Sequence, residues 1–441
     1  MNGGTFTPGV EQLRPGVYFN FTMRANDRIT SSERGRVALP IHMNWGPVHE
    51  MIEISSETDA INKIGIDIAD PSLILLREAK KLSRTVLVYR VNDGDRANAQ
   101  LGSIQLVTAR YSGTRGNDIQ IVIHQNVLDA NLYDVDTFFN TRRVNRQTVS
   151  MFDELVANDH VEFQGTGVPT ATAGTMLTGG ADQVALNEDY TDFMAACEAQ
   201  WLDVVALPVE NESLKVTFVS FIRRMRNRGN KITGVLANHA ANYEGITNVT
   251  NGVIMDNGRT LTAAATVAWV AGASAGATLT QSLTFMEYAG AIDAIPRLEH
   301  SAIEAGLQRG EFMFNFNSRE RTVAVEQDIN SLLGQSRLSK NKIVRTIDAI
   351  ERDISQSIRE MIKNRKGTGV DIPANEDGAA IIKVAVATYL NMMQDNNIIR
   401  NFEMDSDIDV HITDAGDGFM VRLAIQPVDS AEKFYFNVDV N

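Results

Sequence analysis

The sequence predicts a multidomain protein of mixed α/β and α+β class. Its 441 residues exceed what one ordinary hydrophobic core holds, so roughly two to four domains are expected. Residues 201–237 read as strand, helix and strand, whereas residues 94–180 contain short β-like stretches. Residues 337–441 combine long helical patterns with strands. These three changes in pattern define the predicted domains.

Five segments follow from these changes. We expect an N-terminal arm at residues 1–24, an α/β middle domain formed by residues 25–93 and 181–336, an inserted β-rich domain at residues 94–180, and a C-terminal α+β domain at residues 337–441 that ends in an arm strand at 430–441.

The middle domain contains a predicted βαβ unit. The apolar run "WLDVVALP" precedes "NESLKVTFVSFIRRMRNRG", which starts with a polar cap and ends in basic residues and Gly229, as helices do. The run "KITGVLA" follows as a second strand. Upstream, "PSLILLREAKKL" and "TVLVYRV" read as helix and strand. Such alternation predicts parallel strand pairing.

The inserted domain differs in composition from both of its flanks. Residues 94–180 are rich in Val, Ile, Thr, Asn and Gly, and they include alternating stretches such as "IQIVIHQ". Gly-containing breaks bound the stretch on both sides. The pattern predicts a separate β-rich domain.

The C-terminal domain opens on an amphipathic helix, with Ser339 as the expected N-cap. Its apolar residues recur every three or four positions: Ile343, Ile347, Ile350, Ile354, Ile358 and Met361. Five basic residues follow the opposite face: Arg345, Arg352, Arg359, Lys363 and Lys366. A second helix, "AAIIKVAVATYLNMMQDNN", and further strands complete this domain.

Both ends of the chain carry strong strand patterns. Near the start, Val17, Phe19 and Phe21 alternate with polar residues, and the final "EKFYFNVDVN" places Phe434, Phe436, Val438 and Val440 on one face. The two terminal strands pair either with each other in one sheet or with other molecules. The sequence pattern alone leaves both arrangements open.

Composition argues against several classes of protein. A formal net charge of −14 does not suit nucleic-acid binding, which needs a basic surface. The single cysteine, Cys197, excludes an intramolecular disulfide and is expected to be a core thiol. We find no signal-peptide pattern. The charge-free residues 260–286 are dominated by small residues, which favours a tightly packed interior element over membrane insertion. We therefore expect a soluble protein made in a reducing cytoplasm.

Motifs for catalysis or cofactor binding do not emerge. The seven histidines are scattered, and the chain has neither a nucleophile-elbow motif nor a phosphate-binding loop. Asp405, Asp407 and Asp409 imitate the start of a calcium loop, but Val410 stands where such a loop needs Gly. We predict no catalytic residue, no cofactor and no metal. The run "RRMRNRGNK" is interpreted as a helix C-terminus.

An ordered series of motifs spans nearly the whole chain. It includes "PGVYFNF", "GRVALPIHMNWGP", "ARYSGTRGNDIQIVI", "LTGGAD", "VAGASAGATLTQSLT", "VEQDINSL" and the closing "FYFNVDV". In this order they resemble the contractile tail sheath proteins of bacteriophages, with the closest likeness to Gram-positive phages and phage-like tail particles. The stretches "SGTRGNDI" and "VEQDIN" are the most specific.

The resemblance implies a fold and a function. Sheath proteins of this type stack as six-fold rings around a tail tube, assemble in an extended high-energy state, and contract to drive the tube through a cell envelope. Their terminal arms complete a sheet in neighbouring subunits, and the inserted domain projects outward. The implied partners are other copies of the chain, the tail tube, the baseplate and the tail terminator. The implied location is a virion tail or tail-like particle, assembled in the bacterial cytoplasm, without catalysis.

The basic face of the C-terminal helix suggests a contact with the tube. Residues 337–366 contain nine basic and four acidic residues in an acidic chain. One hypothesis is that Arg345, Arg352, Arg359, Lys363 and Lys366 face acidic groups on the tube. The alternative is an ordinary solvated face, in which Asp348 pairs with Arg352.

Two other classes of protein remain alternatives. One is a cytoplasmic α/β enzyme that uses the βαβ region, and the other is a different structural tail component.

Overall fold

A computed structural model describes residues 33–334, 336–367, 369 and 371–440. The described residues form two compact units. The first unit comprises residues 33–345 and 429–440, and the second comprises residues 346–428. The predicted N-terminal arm, with Val17, Phe19 and Phe21, lies outside the described residues.

Residues 33–91 form the first part of an α/β sheet. Its elements are β1 (Arg36–Ile41), β2 (Met51–Ile54), α1 (Glu57–Ile64), a 3-10 turn (Pro71–Leu73), α2 (Ile74–Lys80) and β3 (Thr85–Arg90). β1 and β3 run parallel and β2 is antiparallel to β3. β3 is buried along its whole length, as strands covered on both faces are.

Residues 94–182 form a β-rich insertion. Its elements are β4 (Gly94–Asp95), β5 (Asn98–Gly102), β6 (Gln105–Ala109), a 3-10 turn (Thr114–Asp118), β7 (Ile119–Gln125), β8 (Tyr133–Phe139), β9 (Arg142–Val149), a second 3-10 turn (Phe152–Glu154), β10 (Val161–Gly165), β11 (Thr172–Met176) and β12 (Ala181–Asp182). The order β10-β6-β5 makes one antiparallel sheet and β11-β7-β8-β9 another. Ile119, Ile121 and Ile123 of β7 alternate into the core, which confirms the strand predicted from "IQIVIHQ".

Side chains of two motifs make contacts where the insertion meets the rest of the first unit. Asn117, from "SGTRGNDI", donates to the carbonyl of Gly180 at 2.8 Å and accepts from its amide at 2.9 Å. The Thr114 hydroxyl donates to Asp182 at 2.7 Å, and Arg115 pairs with Asp70 at 2.7 Å. β4 and β12 pair beside these contacts. The motifs therefore hold together the two strands through which the chain enters and leaves the insertion.

Residues 187–325 complete the first unit. Their elements are α3 (Asn187–Glu198), β13 (Val204–Leu207), α4 (Glu212–Asn227), β14 (Thr233–Ala237), β15 (Ile246–Val249), β16 (Gly252–Met255), β17 (Thr260–Leu261), α5 (Ala263–Gly276), β18 (Ala291–Ile295), α6 (His300–Gln308), β19 (Glu311–Phe312), β20 (Phe314–Asn317) and β21 (Thr322–Val325). Asn211 caps α4, accepting hydrogen bonds from the amides of Ser213 and Leu214. Arg224 and Arg228, near the end of α4, pair with Glu198, as expected for a helix C-terminus.

Seven strands of the described residues form the main sheet, in the order β19-β15-β14-β13-β1-β3-β2. β13 and β14 are parallel neighbours joined by α4, which confirms the predicted βαβ unit. The α/β sheet and the β-rich insertion confirm the predicted fold class for this part of the chain.

The charge-free run predicted as an interior element is α5. Its residues are almost all buried, and it packs against α2 and the main sheet. A Cβ atom added at Gly272 would lie 2.1 Å from the carbonyl oxygen of Ala79, and one at Gly276 would lie 1.9 Å from that of Leu82. The two glycines therefore allow α5 to approach the backbone of the α2 segment closely. Within the described residues, no helix is long and apolar enough to cross a membrane.

Substituting Gly272→Ala is expected to destabilise the first unit by about 1–3 kcal/mol, because the new methyl group overlaps a backbone carbonyl that cannot move freely. Thermal unfolding of the purified subunit measures the effect. Gly367→Ala is the matched control, since no atom lies within 4 Å of its added Cβ. Equal melting temperatures for the two variants would contradict the close packing of α5.

The second unit is a small α+β domain. Its elements are most of α7 (Asn341–Gly367), α8 (Glu376–Asp395), α9 (Met404–Asp407), β22 (Ile408–Ile412) and β23 (Phe419–Leu423). β22 and β23 are antiparallel and form a hairpin around "DAGDG". Of the three aspartates that imitate a calcium loop, Asp405 and Asp407 lie in α9 and Asp409 lies in β22. This unit confirms the predicted α+β class of the C-terminal region.

The predicted N-cap of α7 is wrong. Ser339 is the last residue of a 3-10 turn (Arg337–Ser339), and its hydroxyl donates to the carbonyl of Gly334 at 3.0 Å. Ser336 accepts from the amide of Leu338 and caps that turn instead. A polar residue before an apolar periodic run locates the start of a helix only to within a few residues, because a short 3-10 turn often precedes the helix.

Candidate assembly surfaces

The C-terminal arm has two parts with different environments. Residues 429–433, the arm root, pack on the first unit. Asp429 pairs with the Lys340 ammonium at 2.9 Å, and the Ser430 hydroxyl accepts from Lys342 at 3.0 Å. Residues 430–433, which belong to the predicted arm strand at 430–441, therefore bind their own subunit and form no strand there.

Glu432 is the most enclosed group of the arm root, with its side chain 9% exposed. It accepts hydrogen bonds from the Thr284 hydroxyl at 2.7 Å and from the Lys340 ammonium at 3.0 Å. Burial raises the pKa of Glu432, but hydrogen bonds from Thr284, Lys340 and Gln327 outweigh it, so the net pKa is lowered. The carboxylate is thus held in its charged form.

Residues 434–440, the arm tip, are exposed and belong to no strand of the described subunit. The four apolar residues of the predicted strand, Phe434, Phe436, Val438 and Val440, are 72%, 86%, 76% and 90% exposed. Isolated subunits rarely leave four large apolar side chains on one face of a short segment uncovered. This exposure is typical of a segment that becomes buried against another molecule.

An apolar groove lies in the second unit, beside α7. It encloses about 290 Å³ and is lined mainly by aliphatic side chains: Ile347, Ile350, Ile354, Ile358, Val386, Val421, Leu423 and Ile425. Ile350 is buried, whereas Ile347, Ile354 and Ile358 are half-buried. The predicted apolar face of α7 is therefore only partly covered within its own unit.

The hairpin beside the groove has open edges. β22 and β23 pair with each other from Ile408–Leu423 to Ile412–Phe419, and no other described strand joins their sheet. Two-stranded sheets are marginally stable alone, and an unpaired edge readily accepts another strand. The groove and the hairpin together form a surface suited to an incoming extended segment.

Arg345 lies away from solvent, contrary to the prediction of a fully exposed basic face. Its side chain is 10% exposed, and it pairs with the buried Asp328 at 3.4 Å. It also donates to the carbonyl of Gln281 at 2.9 Å. Helical periodicity placed Arg345 on the polar face, but residues distant in sequence cover that end of the helix.

The other four basic residues of α7 have different environments. Arg359, Lys363 and Lys366 are exposed, and Arg352 is half-buried with a partner in its own chain. Asp348, expected on the solvated face, is buried. An exposed basic patch therefore remains at the C-terminal half of α7, defined by Arg359, Lys363 and Lys366. Whether it faces a tube stays a prediction.

Cys197 lies buried in α3, as predicted, and burial raises the pKa of its thiol. No group of three or more His, Cys, Asp or Glu side chains in the described part of the chain is placed to hold a metal ion.

Sequence reasoning missed the residues that hold the arm root. Thr284 and Gln327 lie within "LTQSLT" and "VEQDIN", which stood out as motifs without an assigned role. Glu432 begins the alternating C-terminal stretch and Lys340 follows the predicted N-cap, but neither position indicated a partner. Their contacts are long-range, so spacing along the chain carries no information about them.

Four family models cover the chain almost end to end. They are the tail sheath protein Gp18 domain III N-terminal region at residues 34–91, the phage tail sheath protein beta-sandwich domain at 92–182, the phage tail sheath protein central domain at 183–331 and the phage tail sheath C-terminal domain at 335–441. The chain therefore belongs to the contractile phage tail sheath protein family.

Particular relatives place it among Gram-positive sheath proteins. The chain is 49% identical to the phage-like element PBSX protein XkdK of Bacillus subtilis, with both chains covered in full. It is similar to the crystal structure of the sheath tail protein Lin1278 from Listeria innocua, at 45% identity and a TM-score of 0.81, covering 93% of this chain and 96% of that one. The sheath tail protein DSY3957 from Desulfitobacterium hafniense gives 38% identity and a TM-score of 0.85, covering 96% and 99%.

Proposed function

We propose that this chain is the subunit of a contractile sheath that polymerises as stacked six-fold rings around a tail tube. On a signal the sheath shortens and drives the tube through the envelope of a target cell. The observation that carries the proposal is the exposed, alternating arm tip that extends from an anchored root.

The arm tip and the groove of the second unit have complementary chemistry. The tip offers Phe434, Phe436, Val438 and Val440 on one face of a potential strand, and the groove offers half-buried isoleucines beside an open hairpin edge. Strand addition of this kind combines main-chain hydrogen bonds with side-chain pockets. We propose that the tip of one subunit completes the sheet of another, and that Val17, Phe19 and Phe21 of the N-terminal arm act in the same way.

A strand donated from one copy to the next gives a head-to-tail contact. Such contacts generate closed rings when the rotation closes and helical polymers when it does not. In a sheath of stacked rings, the contacts within a ring close, whereas the contacts between rings continue along the polymer.

Neighbours in structure support a polymeric role. One is titled the helical sheath of the anti-feeding prophage in the contracted state, with 12% identity and a TM-score of 0.61. Another is titled the baseplate of that particle, six-fold symmetrised, with 10% identity and a TM-score of 0.59. At this identity they share the fold alone. By analogy we propose the tail tube, baseplate and tail terminator as partners, and a tail or tail-like particle assembled in the bacterial cytoplasm as the location.

A structural rather than catalytic role accounts for the polar residues described here. The motif side chains Thr114, Asn117 and Asp182 connect parts of the fold, and Thr284 and Gln327 hold the arm root. The alternative of a cytoplasmic enzyme would require a cluster of reactive groups in the α/β unit.

Electron microscopy of the purified chain tests the proposal. We expect long hollow cylinders with six-fold end views, because the arms link copies without a natural end. Addition of purified tail tube protein is expected to give longer, narrower cylinders that enclose the tube. Discrete small oligomers under all conditions would contradict a sheath and favour another structural or enzymatic role.

A further inference from the structure

We infer that Glu432 and Lys340 are positioning residues that fix where the terminal arm leaves its subunit and bind the arm root to the start of α7. This inference rests on the proposed exchange of arms. It assigns a role to side chains that no family resemblance singles out.

The Glu432 carboxylate lies within hydrogen-bond distance of four donor groups, of which the Ser282 hydroxyl can alternatively donate to Thr284. One oxygen accepts from the hydroxyls of Thr284 at 2.7 Å and Ser282 at 3.0 Å. The other accepts from the Lys340 ammonium at 3.0 Å and the Gln327 amide at 3.2 Å. Hydrogen bonds to a charged acceptor are the stronger kind, and four of them determine both position and orientation. A solvated surface carboxylate has no such arrangement.

Lys340 joins the arm root to the helix. Its ammonium contacts both Asp429 and Glu432, and its backbone directly precedes α7. Two residues further on, Lys342 donates to the Ser430 hydroxyl. Lys340 and Lys342 therefore join the start of α7 to the arm root through ion pairs and a hydrogen bond.

The groups that bind Glu432 are themselves held by further polar contacts around Asp328. The Thr284 hydroxyl that donates to Glu432 also accepts from the amide of Asp328 at 3.0 Å. The buried Asp328 carboxylate in turn accepts from the Asn341 amide at 2.9 Å and pairs with Arg345 at 3.4 Å. Arm root, core and helix start thus belong to one polar network, and such networks respond as a unit when a member is removed.

Phe285 adds local strain beside this network. It has φ of 64° and an exposed ring, a combination that is rare for a bulky residue. Its amide donates to the carbonyl of Val325 at 2.9 Å, which holds the segment that carries Ser282 and Thr284 in place. Strained backbone persists where surrounding contacts over-determine it, so the donor segment is held in a defined position.

A fixed root reduces the conformational freedom of the free arm. With the root bound, the unpaired segment begins at residue 434, and its starting point and direction are set. Binding of a pre-positioned segment costs less conformational entropy than binding of a longer free chain.

Glu432→Gln tests the inference in the full-length chain. The glutamine side chain has the shape of the glutamate side chain but no charge. Only its oxygen accepts hydrogen bonds, so its NH₂ group must face donors that the second carboxylate oxygen accepted from. We expect a spin label attached at the exposed position Ala431→Cys to become as mobile as one on a free chain, and polymerisation followed by light scattering to slow by about tenfold or more. Lys340→Met is a second variant with the same expected result, should Glu432→Gln not fold.

Matched controls separate this inference from the exchange of arms. Lys433→Met removes a neighbouring exposed charge and Glu188→Gln repeats the chemistry on an exposed side chain, and both should behave as wild type. Phe436→Asp alters the arm tip, and should abolish polymerisation while leaving the mobility of the label at position 431 unchanged. A loosened root with normal polymerisation, or an unchanged root, would overturn the positioning role. Normal polymerisation of Phe436→Asp would instead overturn the exchange of arms.

Discussion

Removal of residues 434–441 is expected to abolish cylinders while leaving the melting temperature of the subunit unchanged. The described tip residues are exposed and contribute no strand to their own subunit, so their loss costs the monomer little. In an assembled sheath, burial of four large apolar side chains contributes roughly 6–12 kcal/mol per subunit before the costs of association. Electron microscopy and differential scanning calorimetry on the same sample measure both effects.

The cut belongs after Lys433 rather than after Asp429. A deletion that begins at residue 430 also removes Glu432, and it would confound loss of the donated strand with loss of the root contacts.

A pair of full-length variants provides the matched control. Serine at Phe434, Phe436, Val438 and Val440 removes the apolar face, whereas serine at Tyr435, Asn437 and Asp439 changes the opposite face. Only the first variant is expected to lose polymerisation, because a donated strand buries one face in the groove. Equal behaviour of the two variants would show that the tip does not bind as a strand.

Much of the fold is predictable from the sequence because its signals are local. The stretch from "WLDVVALP" to "KITGVLA" predicts two strands joined by an amphipathic helix. In the structure β13 and β14 are parallel neighbours and α4 joins them. The charge-free run became the buried helix α5, since small residues permit the close approach seen at Gly272. The hydrophobic period and the composition are properties of short stretches of sequence, so they can be read without knowing which segments pack together.

The assembly surfaces were predictable only in part. The alternation at the C-terminus identified the arm tip, but residues 429–433 showed no sign of binding their own subunit. Arg345 was assigned to an exposed face by helical spacing, yet Asp328 and the 278–281 segment enclose it. Spacing along a helix identifies a face, and only the tertiary fold decides what covers that face.

Reversing the charge of the exposed basic patch is expected to prevent extended sheath from forming on tubes. Arg359, Lys363 and Lys366 are exposed, so Glu at all three positions should leave the subunit folded. We propose that these side chains meet acidic groups on the tube through many weak contacts, which salt screens. Electron microscopy of mixtures with purified tube protein at low salt measures the effect, and tube-free cylinders are expected to survive because they rely on the arms.

Two further variants make the result interpretable. Glu at Arg142, Arg319 and Arg321 gives the same change in net charge elsewhere on the surface, and it should leave assembly on tubes intact. Arg345→Glu should instead destabilise the subunit by about 3–5 kcal/mol, since it leaves the buried Asp328 facing a second carboxylate. That contrast distinguishes a residue that stabilises the fold from residues that contact a partner. Extended sheaths of normal length from the triple Arg359, Lys363 and Lys366 variant would show that the patch is a solvated face.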